Sequence, residues 1–399
     1  MQHEEPHTKP GTELDRPISH PVDVMFPLLL NKAVSTLWPR RPRPAAGPGR
    51  PRHGPRRKRI NLALQGGGAH GAFTWGVLDQ LLADGRLTIE GISGTSAGAL
   101  NAVMLADGLA RGGPQDARKH LADFWRAASY DGHLPDLQRG VVERLFSFVP
   151  RAGASVPPWF GAFSQLWSPY DLNPLNINPL KELIERFVDF DLIHADIDRH
   201  LFISATNVRT GEPRVFSRTE ITAEVVMASA CLPLLFRAVE IDGESYWDGG
   251  YSNNPPLLPF VRSTSCEDLL IVQINPRERD KMPVSTREIM ARANEITFNA
   301  AQSAELRTID FVNQLIDQGR LPRGAGRGDC RRIRLHRIVM ADTGDTFDPH
   351  SRLNNDFEFF ERLQKLGQRA TSRFLETHFD DIGERSTIDD GAALPAEVA

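Results

Sequence analysis

The chain has 399 residues, 40% of them hydrophobic and 25% charged, and its formal net charge at pH 7 is −4. This length allows one large domain or two smaller ones, and the apolar content is sufficient for a sizeable core. The small net charge gives no general attraction to polyanions, so no nucleic-acid partner is predicted.

The three cysteines are widely spaced and odd in number, which predicts neither a disulfide framework nor a zinc site. A reducing compartment fits this usage. No stretch approaches the ~18 consecutive apolar residues of a membrane span, and the N-terminus has acidic residues where a secretory signal needs basic ones. We therefore predict a cytoplasmic protein, with peripheral contact to the inner face of the membrane as an alternative.

Residues 1–58 are predicted to form a disordered N-terminal tail. Within it, residues 39–59 hold many arginines and prolines and no acidic residue, so this part cannot bury a core. Residues 24–38 are apolar enough for a short amphipathic segment, and with the basic run they could anchor the chain at a membrane surface. We favour a solvated linker, because polybasic runs are common.

The first strongly patterned stretch is a strand, a glycine-rich turn and a helix. Residues 60–65 form an apolar run suited to a buried strand, and residues 72–82 have helical spacing. Between them lie four glycines: Gly66, Gly67, Gly68 and Gly71. Glycine lets backbone N–H groups approach a bound atom, and free N–H groups at a helix start attract negative charge.

A second strand–turn–helix unit follows at once. Residues 87–92 are a plausible strand and residues 97–105 a plausible helix, and Gly94-Thr95-Ser96-Ala97-Gly98 between them fits G-x-S-x-G. In a nucleophile elbow, the serine lies on a sharp strand-to-helix turn with its hydroxyl exposed, and the glycines prevent crowding. The pentapeptide alone is weak evidence, but its position after a glycine-rich turn makes it specific.

The rest of the chain also mixes strand and helix patterns. Helices are expected within residues 113–150, with Phe124 and Trp125 facing inward, and Asn178 caps a helix that begins at Pro179. That helix continues over residues 180–190. Further helices are predicted over residues 221–230, 286–318 and 357–379, and strands over residues 201–208, 213–217, 239–242, 245–248, 269–274 and 333–339. The pattern is typical of an α/β protein.

The predicted helix over residues 286–318 is the longest, and it is amphipathic. Its apolar residues recur at helical spacing, and they are Ile289, Ala293, Ile296, Ala300, Leu306, Ile309, Val312 and Ile316.

Taken together, three motifs resemble those of the patatin-like phospholipases. They are Gly66-Gly67-Gly68-Ala69-His70-Gly71, the G-x-S-x-G pentapeptide, and Asp248-Gly249-Gly250 far downstream. The segments Ala228-Ser229-Ala230-Cys231-Leu232-Pro233 and Asn253-Asn254-Pro255 also look like family segments. The resemblance covers roughly residues 60–275 and implies a three-layer α/β/α fold with a central, mostly parallel sheet.

The resemblance also implies roles for individual residues. Ser96 is the expected nucleophile and Asp248 its partner in a Ser–Asp dyad that lacks histidine. The expected oxyanion donors are Gly66, Gly67, Gly68 and Ala97, and the supporting motif glycines are Gly71, Gly94, Gly98, Gly249 and Gly250. A free aspartate has a pKa near ~3.9, so burial beside Ser96 would be needed to raise it. The implied activity is hydrolysis of lipid carboxylic esters through an acyl-enzyme, without cofactor or metal.

Other mechanisms stay open at this level. Ser96 and Asp248 could work in a triad with one of the later histidines, His336, His350 or His378, in an esterase, a thioesterase or a hydroxyalkanoate oligomer hydrolase. The glycines at 66, 68 and 71 also fit a dinucleotide fingerprint, with Glu90 as the ribose-binding acid. A third possibility is a lipid-binding scaffold without activity.

One residue departs from the family pattern. His70 occupies a place that usually holds Arg or Lys, so if it is neutral it brings no fixed charge to a phosphate head group, and a preference for phospholipid is in doubt.

The predicted organisation has four parts. A disordered tail covers residues 1–58, and a catalytic domain covers residues 59–275. An extension over residues 276–382 packs on the same domain, and residues 383–399 form a second disordered tail.

Overall fold

The architecture is taken from a computed structural model, which describes residues 57–129, 169–172, 178–233, 235–279, 281–321, 330–343, 351–352 and 354–388. All of these residues belong to one compact unit, Pro55–Ala399. Residues 1–56 of the predicted N-terminal tail lie outside the described residues.

The first half of the described chain follows the predicted strand–turn–helix units. Its elements are β1 (Lys58–Leu64), α1 (Gly71–Asp84), β2 (Leu87–Gly94), α2 (Ala97–Gly112), α3 (Pro114–Ala127), α4 (Pro169–Leu172), α5 (Pro179–Phe187) and α6 (Phe190–Ala195). Phe124 and Trp125 are buried, as predicted. The Asn178 side chain accepts from the Leu180 N–H, so this N-cap is confirmed as well.

The second half contains every strand that was predicted after residue 200. Its elements are β3 (His200–Asn207), β4 (Pro213–Ser217), α7 (Ala223–Ser229), β5 (Val239–Ile241), β6 (Glu244–Asp248), α8 (Pro259–Ser263), β7 (Asp268–Gln273), α9 (Thr286–Asp317), β8 (Arg334–Val339) and α10 (Phe357–His378). The capping box of Ser285 and Glu288 begins α9.

These strands form one eight-stranded sheet. Its order is β5-β6-β3-β2-β1-β7-β8, with β4 paired to β3. The strands β1, β2, β3, β7 and β8 run parallel, whereas β4 and β6 run antiparallel to β3. The predicted α/β fold with a mostly parallel sheet is therefore confirmed.

Helices cover both faces of the sheet, because successive strand side chains point to opposite faces. On one face, Leu62 and Leu64 of β1 pack in a core shared with α1, α2, α3 and α10. On the other face, Ala63 packs in a second core with α8 and α9. The result is the predicted three-layer α/β/α arrangement, and the residues after 275 complete both cores.

The pairing of β3 brings two distant parts of the chain together. Residues 200–203 of β3 pair with β2, and residues 205–207 pair with β6. Because β4 pairs with residues 202–206, and a strand has only two edges, β2 and β6 follow each other along the same edge of β3. The end of β6 therefore lies just beyond the end of β2.

Three predicted features differ from the structure. The helix over residues 180–190 is interrupted, since the Asp189 side chain accepts from the N–H groups of Asp191 and Leu192 and begins α6. The tail predicted from Gly383 is bonded to the sheet over its first residues, because Gly383 donates to Asp268 and Thr387 donates to the Leu335 carbonyl. The first half of the apolar stripe on α9 is exposed.

Close packing of α1 against α10 generates a stability prediction. A Cβ on Gly76 would lie 2.0 Å from the backbone oxygen of Gln364, so Gly76→Ala must push the two helices apart. We expect it to lower the free energy of unfolding by about 1–3 kcal/mol, measured by urea denaturation. Helix propensity alone would favour alanine by roughly 1 kcal/mol, so an unchanged or raised stability would contradict this packing.

Candidate active site

Ser96 lies on the sharp turn between β2 and α2. Its φ is 56° and its ψ −123°, a left-handed conformation that costs about 1–3 kcal/mol for a residue with a side chain. A Cβ on Gly94 would lie 2.4 Å from the Gly98 oxygen, and one on Gly98 would lie 2.0 Å from the Leu64 oxygen. Only glycine therefore fits at these two positions, and the predicted elbow geometry is present.

Two hydrogen bonds hold this elbow to other segments. The Ser96 N–H donates to Ser229 Oγ at 3.0 Å. The neighbouring Thr95 Oγ1 donates to the Asn253 carbonyl at 2.9 Å. Both acceptors belong to the two downstream segments whose resemblance was noted above, so these segments contact the elbow directly.

Asp248 ends β6, and the Ser96 side chain lies close enough to its carboxylate to lower the pKa of that carboxyl. The aspartate is 2% exposed, and its Oδ1 also accepts the Gly250 N–H at 2.7 Å. Its backbone is bonded on both sides, to the Cys231 carbonyl at 2.8 Å and to Thr206 Oγ1 at 2.8 Å. Ser96 and Asp248 are thus neighbours, and hydrogen bonds hold both the backbone and the carboxylate of Asp248.

Burial changes the acid–base chemistry of Asp248. Removal from water raises the pKa of its carboxyl from 3.8 to about 6, although the nearby Ser96 side chain and the hydrogen bond from the Gly250 N–H oppose the increase. A carboxylate with this pKa is ionised at neutral pH and is still basic enough to take a proton in a reaction.

The glycine-rich turn packs directly against the elbow. A Cβ on Gly66 would lie 2.8 Å from Ser96 Cβ, so a side chain at residue 66 would displace the serine. The Gly66 N–H already donates to Asn254 Oδ1 at 2.7 Å, which removes Gly66 from the predicted oxyanion donors. The N–H groups of Gly67, Gly68 and Ala97 have no acceptor among the residues that the structure describes.

Polar side chains that the motifs did not reveal anchor this turn. Gln65 Oε1 accepts the N–H groups of Ile274 and Asn275 at 2.8 and 2.7 Å, and its Nε2 donates to Asn299 Oδ1 at 3.0 Å. Asn275 Nδ2 in turn donates to the Gly66 carbonyl at 2.8 Å. The turn is therefore tied to the end of β7 and to α9. In the sequence, the only local indication of this anchoring is Gln65, a polar residue that directly follows a buried strand.

His70 is 3% exposed, and its Nε2 lies 2.7 Å from Ser351 Oγ. Burial, together with the charge of Arg352, lowers the pKa of His70 to about 3, so the ring is neutral at physiological pH. The position that departs from the family pattern therefore carries no positive charge.

The alternative residues lie elsewhere. His336 Nε2 is 3.0 Å from Asp268, which begins β7, and His378 is 2.9 Å from Asp381. The elbow follows the C-terminal end of β2, whereas Asp268 lies at the N-terminal end of the parallel strand β7. Asp268 and its histidine are therefore at the opposite end of the strands from the elbow. His350 lies outside the described residues.

The dinucleotide hypothesis is wrong about its acidic residue. Glu90 pairs with Arg59 at 3.0 Å and accepts the Cys266 N–H at 3.2 Å, both near the beginnings of β1 and β7. A dinucleotide bound at the glycine turn would lie at the C-terminal ends of the parallel strands, away from Glu90. The fingerprint therefore lacks the acidic residue that would bind the ribose.

The described residues contain no group of three or more His, Cys, Asp or Glu side chains placed to bind a metal ion. None of the described helices combines the length and the apolar character that crossing a bilayer requires. Burial raises the pKa of the Cys231 thiol to about 12, as expected for a cysteine in the core.

Several solved structures resemble this one in part. VipD from Legionella pneumophila is 18% identical, with a TM-score of 0.37, over 81% of this chain and 67% of its own. The ExoU–SpcU complex of Pseudomonas aeruginosa is 17% identical, with a TM-score of 0.35, over 82% of this chain and 52% of its own. Human GIVD cytosolic phospholipase A2 is 13% identical, with a TM-score of 0.38, over 82% of this chain and 58% of its own. The chain thus spans between about half and two thirds of these proteins.

Sequence comparison is more informative. The "Uncharacterized protein R571" of Acanthamoeba polyphaga mimivirus is 26% identical over 240 residues, which is 57% of this chain and 69% of the relative. The model of the family Patatin-like phospholipase matches residues 62–261, half of the 399 residues, and this range contains the elbow, the glycine turn and Asp248. The chain therefore belongs to the patatin-like phospholipase family.

Proposed function

We propose that this protein is a lipid acyl hydrolase that cleaves carboxylic esters of lipids through a dyad of Ser96 and Asp248. Membership of the family supports lipid hydrolysis in general. The observation that carries the mechanism is the position of the Asp248 carboxylate, which is buried beside the Ser96 side chain.

In the acylation step, Ser96 Oγ attacks the ester carbonyl carbon while Asp248 accepts the hydroxyl proton. The carbonyl oxygen becomes an oxyanion, which the N–H groups of Gly67, Gly68 and Ala97 are placed to bind. One such donor typically lowers the activation barrier by about 2.7–4 kcal/mol. Asp248 then passes its proton to the leaving alkoxide oxygen, and the C–O bond of the ester breaks.

Deacylation uses the same groups in the same order. Water attacks the acyl carbon of the Ser96 ester while Asp248 accepts one water proton. The second oxyanion is bound by the same N–H groups, and its collapse releases the fatty acid. The proton returns from Asp248 to Ser96 Oγ, so the dyad is restored.

The neutral His70 bears on the substrate. Because no cation is fixed at residue 70, the glycine turn itself offers no charge to a phosphate ester. We therefore define the substrate class as lipids with a carboxylic ester, which includes phospholipids, lysophospholipids and neutral acylglycerols. A lipid-binding scaffold without activity is the competing function, and substrate assays separate the two.

The first prediction concerns the dyad. Ser96→Ala and Asp248→Asn should each lower the turnover of a responsive lipid by at least about a thousandfold, because each removes a group that reacts. The measurement is fatty acid release from a panel of phospholipids, lysophospholipids and acylglycerols. Ser265→Ala and Asp242→Asn are matched controls on exposed residues and should keep wild-type rates. Wild-type rates in Ser96→Ala, or no hydrolysis across the panel, would refute the proposal.

The second prediction separates the dyad from a triad. His350→Ala should leave turnover within about twofold of wild type, because Asp248 itself takes the proton. The rate should still fall about tenfold per pH unit below pH 6, where the buried carboxylate becomes protonated. Loss of activity in His350→Ala, with normal folding by circular dichroism, would favour the triad.

The third prediction concerns stability. The pKa of Asp248 in the fold is above the unfolded value, so its contribution to stability is lost as pH rises through about 4 to 6. At pH 8 the buried carboxylate costs up to about 3 kcal/mol, by the relation of 1.36 kcal/mol per pKa unit. Asp248→Asn should therefore raise the free energy of unfolding at pH 8, and raise it less at pH 5, in urea denaturation.

Asp268→Asn is the matched control, since this buried aspartate has the opposite shift. Burial raises its pKa, but hydrogen bonds from His336 and Arg334 outweigh burial and keep the pKa below its usual value. Its ionised form therefore stabilises the fold above pH 4, and the substitution should destabilise at pH 8. A loss of stability in both variants would contradict the conclusion that burial raises the pKa of Asp248 and that its ionised carboxylate destabilises the fold.

A further inference from the structure

The first half of α9 has an inverted pattern of side chains. Its inward face is polar, with Glu295 1%, Asn299 7% and Gln302 1% exposed. Its outward face is apolar: Ile289 and Ile296 are 50% and 54% exposed. An ordinary surface helix has the opposite arrangement, so the outward face is not explained by the packing of this helix.

The exposed apolar side chains continue into the loop before the helix. We call the following five residues the docking strip: Met282, Val284, Ile289, Met290 and Ile296. Their exposed fractions are 84%, 83%, 50%, 61% and 54%, and they make up half of the large, exposed apolar side chains in the described part of the chain. Such a concentration within fifteen residues marks an interaction surface.

The strip lies next to the proposed catalytic site. On the inward side of the same helix, Asn299 bonds Gln65 at 3.0 Å, and the Phe298 ring contacts the Tyr251 ring with 5.5 Å between centroids. Phe298 also lies against Gly250, which donates to Asp248. Ile296, at the end of the strip nearest these contacts, is therefore separated from the site by about one helix diameter, ~10 Å, and Ile289 lies roughly another 10 Å along the helix axis.

Positive charge accompanies the strip. The guanidinium groups of Arg279, Arg292 and Arg352 lie 2.6, 3.3 and 3.6 Å from the Glu295 carboxylate. The cluster has three guanidinium groups to one carboxylate, and the exposed Glu278 and Glu288, next to Arg279 and Ile289 in the chain, offset part of the remaining positive charge. Lys281, which is exposed, adds another positive charge immediately before Met282. This charge complements an anionic surface.

We propose that the docking strip inserts into the interfacial region of an anionic phospholipid bilayer and so holds the proposed catalytic site close to the lipid surface. The proposal rests on the proposed function, because a lipid ester must be reached in a bilayer. The five apolar side chains enter between the head groups, while the arginine cluster and Lys281 face the phosphates. A water-exposed apolar face becomes buried without any change in the fold.

The test measures binding separately from hydrolysis. The full-length Ser96→Ala chain is sedimented with sucrose-loaded vesicles of phosphatidylcholine containing roughly a quarter phosphatidylglycerol, so that substrate is not consumed. We expect binding that weakens with added salt and on pure phosphatidylcholine. Adding Ile289→Ser, Met290→Ser and Ile296→Ser together should lower the partition coefficient at least about tenfold. Met282→Ser with Val284→Ser should lower it as well, and these exposed loop positions are not needed for folding.

Ile197→Ser is the matched control. This residue is 79% exposed and precedes β3, at the edge of the sheet opposite the site, so its loss should leave vesicle binding unchanged. Thermal unfolding followed by circular dichroism verifies that each variant is folded.

Several results would overturn the proposal. They are unchanged binding in both strip variants, no binding of the Ser96→Ala chain, equal binding to the two kinds of vesicle, and a dimer in light scattering that only the strip variants dissociate. Vesicle binding by a wild type that hydrolyses no ester would refute the proposed function and support the strip. Hydrolysis of dispersed esters without vesicle binding would support the proposed function and refute the docking strip.

Discussion

A carboxylate buried against a serine hydroxyl is the constraint on which the site depends. Asp248 is 2% exposed, and burial raises its pKa to about 6. Such a group destabilises the fold when ionised, so the structure must hold it in place. It does so through the Gly250 N–H, through Thr206, and through the position of β6 on the edge of β3. The same burial that costs stability raises the basicity of the carboxylate, which suits the role of base proposed for it.

The glycine turn has the complementary requirement, because its N–H groups must stay free while its backbone stays fixed. Asn254 and Asn275 bond the two polar groups of Gly66, and Gln65 ties the turn to the segment after β7. The N–H groups of the following residues are thereby left available. A preorganised donor of this kind needs no rearrangement during the reaction.

The helix α9 connects this site to the surface. Its inward residues, Asn299 among them, hold the glycine turn, and its outward residues are apolar. The part of the chain after residue 275 is thus integral to the site, since it also contributes β8 to the sheet and α10 to the core. Catalytic support and the proposed contact with lipid belong to one helix.

The amino-acid pattern alone predicts the local features, which are the two strand–turn–helix units, the strands, and Ser96 and Asp248 as candidates. These features are predictable because neighbouring residues impose them: an apolar run favours a buried strand, and glycines flank a serine on a sharp turn. Contacts between distant segments determine that Gly66 donates to Asn254, that Glu90 lies toward the opposite ends of the strands, and that the stripe of α9 faces outward. Helical periodicity shows that an apolar face exists, but which face is covered depends on contacts between segments far apart in the chain.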